Sequence, residues 1–371
     1  MIKGLWLSIF LATTAMASLQ KNIRVGLIIP ETRQDHVTSN PWGVQQRRGF
    51  ELALNDVKNL SLEIQDNSES ALLAKEKAAE FVKKDFDLVA GLSYSDQAIA
   101  VKQQTSPAGI PYLTVFGTAE ALFDKEKSVF TMAIPNDAQV ADLTRYLSGF
   151  PDIRKTGVAL IVARNCEYCV DMERELKSSL KKQGIPITQY PDLLKNRPVP
   201  HDYFEHLGLA KYIVPLAYEV EGLSVINALV KRRYHGLLLG GDSWSTQTLQ
   251  VANNLGLLRS ICLVNTVPYD VTSRSAKNKK FVRDYKAKYG EMPTDVAALS
   301  YDAGLAIVQV AQRCEAASKR KECLANAMAH LRFEGVSGNV RFSSNGKRLG
   351  PRILLKSSTC ASVEKEYDFH Q

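Results

Sequence analysis

Long apolar runs are what this chain most lacks. Beyond the short stretch 5–12, no apolar run reaches the length of a membrane-spanning helix, which excludes a bilayer-crossing helix later in the chain. Histidine is sparse. His36, His201, His206, His235, His330 and His370 are scattered, and none forms H-E-x-x-H, so the zinc-protease arrangement is excluded. A single C-x-x-C, Cys166-Glu167-Tyr168-Cys169, has no second such pair at zinc-site spacing, and Cys314-x8-Cys323 does not supply one. Gly241-Asp242-Ser243 approaches a hydrolase serine turn, but G-x-S-x-G fails because position 245 is Ser. Low-complexity tracts are few. Nothing calls for a metal or a cofactor.

A large charge imbalance is also lacking. The net charge is +8 over 371 residues, and the Lys/Arg clusters at 231–233, 277–280 and 319–321 fall at or near helix-like ends. Cations suit helix C-termini, so solvated faces account for them. No nucleic-acid-binding motif accompanies them, and nucleic acid is not an expected partner.

What is present begins at the N-terminus. Lys3, the apolar stretch 5–12 and Ala15-Met16-Ala17 follow the order of a secretory signal peptide, with cleavage expected after Ala17. Residue 18 is Ser, so no lipid-attachment cysteine is expected. The mature protein is expected to be exported to the periplasm, and it is long enough for about two domains.

The remaining chain is organised around residues 84–122. Two apolar runs, 86–90 and 111–115, each stop at a turn rich in Gly, Ser and Thr, and a helix-like segment, 96–105, joins them. This is a βαβ unit of a parallel sheet. Right-handed crossover puts both turns on one sheet edge, where open α/β sheets bind ligands. Ser93, Ser95, Thr114 and Thr118 are therefore expected on one rim, and hydroxyls with turn N–H groups there suit a carboxylate. Ordinary turn chemistry is the competing explanation of the same residues.

The rhythm extends both ways. Strands are expected at 23–29, 60–65 and 130–134, and helices at 44–57 and 70–83, after a polar loop at 31–43. A second α/β block follows, with helices at 138–147, 168–182 and 218–230 and strands at 157–163, 210–214, 236–240 and 261–267. Helices at 275–289, 295–314 and 321–331 and strands near 340–342 and 352–355 close the chain. The fold class is α/β: two Rossmann-like lobes, parallel sheets flanked by helices, with a ligand cleft between them. Pro135 and Pro268 suit segments that cross between lobes and hinge them.

Six cysteines in an oxidising compartment make disulfides plausible. Cys314 and Cys323 flank a polar turn between helices, and Cys262 and Cys360 lie in or beside strand-like stretches. Cys166 and Cys169 follow a strand and open a helix, the setting of a thiol redox motif, but the rest of a thioredoxin pattern is missing.

The chain resembles type I periplasmic solute-binding proteins of the branched-chain amino acid ABC transporter family. The resemblance runs over essentially the whole mature chain. Its most specific piece is FEGVSGNVRFSSNGKR at 333–348, similar to the family's F-x-G-x-x-G-x-x-x-F-x-x-x-G signature. It implies two lobes joined by three crossovers: residues 18–135 with 269–332 in the first, and 136–268 with 333–371 in the second.

The resemblance also implies a site. Ser95 and Thr118 match the hydroxyls that hold an amino acid's carboxylate, and Phe116 matches a neighbouring backbone-contact position. Trp42, Tyr168 and Tyr218 match aromatic walls, and Asp242 matches the acid that faces the ammonium. The first loop is longer than usual, and Phe116 is bulky where the family is usually small; both departures touch the pocket. Each assignment has a structural competitor. Trp42 can pack under its loop, the tyrosines can pack at their helix starts, and Asp242 can cap the next helix. The implied function is capture of an amino acid or related small polar solute by lobe closure. The implied partner is an ABC permease in the inner membrane, and the protein is expected to be a monomer and not an enzyme. A ligand sensor of the same fold is the alternative; a thiol redox protein is the weaker one.

Overall fold

The computed structural model describes residues 22–350, 353–356 and 360, apart from 56, 124–127, 196 and 245. The signal peptide expected at 1–17 lies outside the described residues.

The first block runs β1 (Ile23–Ile29), α1 (Pro41–Leu54), β2 (Leu60–Asp66), α2 (Ala71–Lys83), β3 (Leu88–Gly91), α3 (Ser95–Thr105), β4 (Tyr112–Thr114) and β5 (Val129–Thr131). Its strands form a parallel sheet in the order β2-β1-β3-β4-β5. β1 is nearly continuously apolar because both of its faces are covered, as expected of a parallel strand. Val25, Leu27 and Ile29 face one apolar cluster, while Ile28 joins another with Phe81, Val89 and Tyr112.

The second block runs α4 (Asn136–Ser148), α5 (Ile153–Thr156), β6 (Val158–Arg164), α6 (Glu167–Lys182), β7 (Ile187–Gln189), β8 (Leu193–Leu194), β9 (Tyr212–Leu216), α7 (Glu219–Lys231), β10 (Leu237–Gly240), α8 (Thr246–Asn254) and β11 (Cys262–Val267). The chain then adds α9 (Ala276–Tyr289), α10 (Asp295–Cys314), α11 (Arg320–Ala329), β12 (Arg332–Gly335), β13 (Gly338–Arg341) and β14 (Ile353–Lys356). The second sheet has the order β14-β11-β10-β9-β6-β7, with β8 also on β6. It is parallel except for β14, which runs antiparallel to β11.

Helices α9 to α11 return to the first lobe, where Phe281, Tyr285, Val296, Ile307 and Leu324 share a core with Val25 and Leu27. The β12–β13 hairpin also packs there. Val336, Val340 and Phe342 lie in that same core, and Phe342 meets Phe130 at 5.2 Å. The expected passage into the second lobe at residue 333 is therefore corrected: the chain stays on the first lobe through the hairpin and reaches the second sheet only at β14.

Helix α1 starts earlier than expected. Pro41 occupies its first turn, where a missing N–H costs nothing, and the Asn40 side chain accepts from the Trp42 N–H at 3.1 Å. Trp42 and Gly43 thus belong to the helix and not to the loop before it. Gly43 is required there, because a Cβ would fall 1.9 Å from the Pro30 carbonyl oxygen. Gly43→Ala must push α1 off that carbonyl and carry Trp42 with it. The expected cost is about 1–3 kcal/mol in urea unfolding, with a shift in tryptophan emission.

All six cysteines pair: Cys166–Cys169, Cys262–Cys360 and Cys314–Cys323. Cys314–Cys323 staples the turn between α10 and α11. Cys262–Cys360 ties residue 360, beyond β14, to the start of β11.

Candidate functional site

The carboxyl ends of β3, β4, β6, β9 and β10 meet between the two lobes. One pocket lies there, lined by Trp42, Ser93, Tyr94, Ser95 and Phe116 from the first lobe and Tyr168, Tyr218, Asp242 and Ser243 from the second, and drawn nearly shut to a cavity of about 10 Å³. Six of the seven residues singled out from sequence are brought together in it. Thr118 is the exception. It does not line the pocket; its N–H donates to Ser95 Oγ at 3.1 Å.

The rim chemistry differs from expectation. The N–H groups of 115–119 are all engaged within the protein. Val115 and Phe116 donate to the β3 end, Gly117 to Thr114 Oγ1, and Thr118 and Ala119 to Ser95 Oγ. No turn N–H from this loop is left for an anion, and Thr114 braces the turn instead of facing the cleft. The consequence falls on Ser95. Its oxygen accepts two N–H bonds at 3.1 and 3.2 Å, so its own hydrogen is the atom left to donate. Ser95 also opens α3, which has no side-chain cap, so the first N–H groups of that helix add positive potential beside the hydroxyl.

Asp242 faces Ser95 from the other lobe. It is 2 % exposed, and its Oδ2 is buried with no protein hydrogen-bond partner. Burial pushes its carboxyl up to about 8, with hydrogen bonding from Gln139 opposing and Asp295 adding to the rise. Gln139 Oε1 organises this wall. It accepts from the Asp242 N–H at 3.0 Å, the Tyr168 hydroxyl at 3.3 Å and the Thr266 hydroxyl at 3.3 Å. Helix α8 begins at Thr246, so Asp242 stands too far upstream to be its cap.

The walls are aromatic. Trp42 meets Phe116 edge-on at 5.5 Å and stacks near Tyr94 at 6.0 Å; Tyr94 meets Tyr218 edge-on at 4.9 Å, and Tyr218 stacks near Tyr168 at 5.9 Å. The chain of rings crosses the lobe boundary at Tyr94–Tyr218. Ser93, expected on the rim, does line the pocket, whereas sequence reading passed over Tyr94 and Ser243 as pocket residues. Tyr94 sits between two serines already placed on the rim, and a large aromatic in a polar turn was the available signal. Leu92 at φ 72° turns the backbone just before it. Cys166 and Cys169 are buried, at 1 % and 0 % exposed, and their bond brackets Tyr168. Neither sulfur offers a surface for thiol exchange.

The sequence matches the model of the receptor family ligand binding region over residues 49–356. The chain belongs to that family. Its members share the type I periplasmic binding fold, and solved structures of that fold superpose on nearly all of the chain. A Streptococcus pneumoniae branched-chain amino acid transporter substrate-binding protein, LivJ, in complex with isoleucine is 19% identical, with a TM-score of 0.77 over 90% of this chain and 96% of that one. The leucine-binding protein LivK of Thermotoga maritima gives 18% and 0.77 over 90% and 94%. A Rhodopseudomonas palustris ABC transporter solute-binding protein in complex with 3,4-dihydroxybenzoic acid gives 16% and 0.76 over 90% and 93%. The search of curated sequences finds no match. These neighbours are solute-binding proteins, not enzymes. Among the described residues of this family member, no helix is long and apolar enough to cross a membrane, and no cluster of His, Cys, Asp and Glu could hold a metal.

Proposed function

We propose that this protein is the periplasmic solute-binding component of an ABC importer, and that it captures an amino acid by closing its lobes. The observation that carries this reading is Asp242. A carboxylate buried in an aromatic pocket with one oxygen unpartnered needs a cation or a proton, and a ligand ammonium supplies the cation. Ser95 on the opposite lobe donates to the ligand carboxylate. Trp42, Phe116, Tyr168 and Tyr218 enclose the side chain, and Tyr94 joins them. Thr118 contributes through its bond to Ser95, which aims that hydroxyl. Each lobe binds one end of a zwitterion, so closure and binding are coupled.

A second reading has its own support. The ring-lined pocket also suits an aromatic carboxylic acid, with Asp242 protonated and donating to it. Thermal-shift titration of the purified mature protein separates the two. L-leucine, L-isoleucine or an aromatic amino acid is expected to raise the melting temperature by several degrees at about a hundred times its Kd. A shift with benzoate or 4-hydroxybenzoate and none with any amino acid would establish the second reading and refute the first.

A further inference from the structure

Outside the pocket, Lys195 of the second lobe reaches across to the first. Its Nζ lies 2.7 Å from Asp96 Oδ2, in the first turn of α3 directly after Ser95. The same ammonium stands 5.6 Å from the centre of the Tyr94 ring and 5.2 Å from that of Tyr218. Those two rings are the pair that meets across the lobe boundary. Both ends of the ion pair are largely withdrawn from water, at 18% and 25% exposed. Two other polar contacts between the lobes sit beside the crossover: Asp171 accepts from the Glu120 N–H, and Lys347 pairs with Asp137. Lys195–Asp96 differs from these in standing against the pocket wall.

We propose that Lys195 is a latch that holds the lobes shut over the pocket, through its charge. The inference rests on the reading of the two lobes as a closing clamp, and it concerns a residue that contacts the wall and not the ligand. One cation does two jobs there. It pairs with a carboxylate on the far lobe, and it lies over the two tyrosines whose contact seals the mouth. In an open form the Lys195 ammonium and the Asp96 carboxylate would return to water, so the attraction exists only in the closed state. A ligand then needs to supply less of the closing free energy, which raises its affinity without any contact to it.

The test needs no ligand. Small-angle X-ray scattering of the ligand-free mature protein at low salt is compared for wild type, Lys195→Met, Asp96→Asn and Lys195→Arg. Lys195→Met and Asp96→Asn are expected to shift to a larger radius of gyration and maximum dimension, whereas Lys195→Arg, which keeps the charge, stays at the wild-type value. Molar salt is expected to move wild type toward Lys195→Met. A Lys195→Met profile superimposable on wild type overturns the proposal. Expansion of Lys195→Arg equal to that of Lys195→Met also overturns it, because packing and not charge would then be responsible. Failure of the amino-acid reading would show in the thermal-shift titration and leave these profiles untouched.

Discussion

Asp242→Asn is expected to raise the melting temperature of the ligand-free protein at pH 8 and to abolish amino-acid binding. The first half follows from linkage. Burial raises the Asp242 carboxyl from 3.8 in the unfolded chain to about 8 in the folded one. The folded state therefore holds a proton that the unfolded state has lost between those values. The stability this group contributes is fully present below about pH 4 and drains away as pH rises through about 8. An asparagine keeps the shape without ever carrying the charge, so the loss disappears. The gain at pH 8 is on the order of a few kcal/mol, and differential scanning calorimetry at pH 5 and pH 8 reads it. A variant no more stable than wild type at pH 8 would show that Asp242 is not held in a desolvated site.

The same carboxyl fixes the sign of the pH dependence of binding. A ligand ammonium needs the ionised form. Below pH 8 an amino acid must displace the proton, so its affinity is expected to fall, by up to tenfold per pH unit, as pH drops from 8 to 6. One proton is released per ligand bound, which calorimetry in buffers of different ionisation enthalpy measures. A carboxylic acid without an amine reverses the sign. It uses protonated Asp242 as a donor, and its affinity weakens as pH rises above 8. Affinity that ignores pH in this range would remove Asp242 from the binding step altogether.

Much of this site was legible because its residues terminate strands. Ser95 and Asp242 are in the cleft because β3 and β10 end at Gly91 and Gly240, a few residues before them, and strand ends are readable from apolar runs that stop at polar turns. The hydrogen-bond state of those ends was not readable. The N–H groups of 115–119 looked available from sequence but are consumed by Gly91, Leu92, Thr114 and Ser95, contacts set by how the β4 turn folds back on β3. Lys195 escaped for a different reason. It sits in an irregular segment after β8, a two-residue strand with no periodicity, and its meaning comes from an element 99 residues away. The 333–348 segment was recognised by its motif spacing, yet spacing says nothing of the hairpin it forms or of which lobe it packs on. Phe342 answers that only by meeting Phe130.

The hairpin's signature residues lead to the largest expected loss of stability, in Arg348→Met. Arg348 is buried, and its guanidinium donates to the Met132 carbonyl at 2.7 Å, the Ser337 carbonyl at 3.0 Å and the Ser337 hydroxyl at 2.8 Å. Ser337 in turn donates its N–H and hydroxyl to Asp302 on α10, which also accepts the Val336 N–H at 2.8 Å. Gly335 packs flat on that carboxylate, leaving no room for a Cβ, which would fall 2.3 Å from its oxygen. Burial pushes the Asp302 carboxyl up and the Arg348 guanidinium down to about 10, and each charge opposes the shift of the other. Removing the cation strands Asp302 in the core and frees the Met132 carbonyl, three residues before the Pro135 crossover. Such a loss costs about 3–5 kcal/mol and is read as a lower urea midpoint. Removing both charges, as Arg348→Met with Asp302→Leu, is expected to recover part of it, because an apolar pair leaves no stranded ion. If the double variant falls by the sum of the single losses, the two charges are uncoupled and Ser337 does not relay between them.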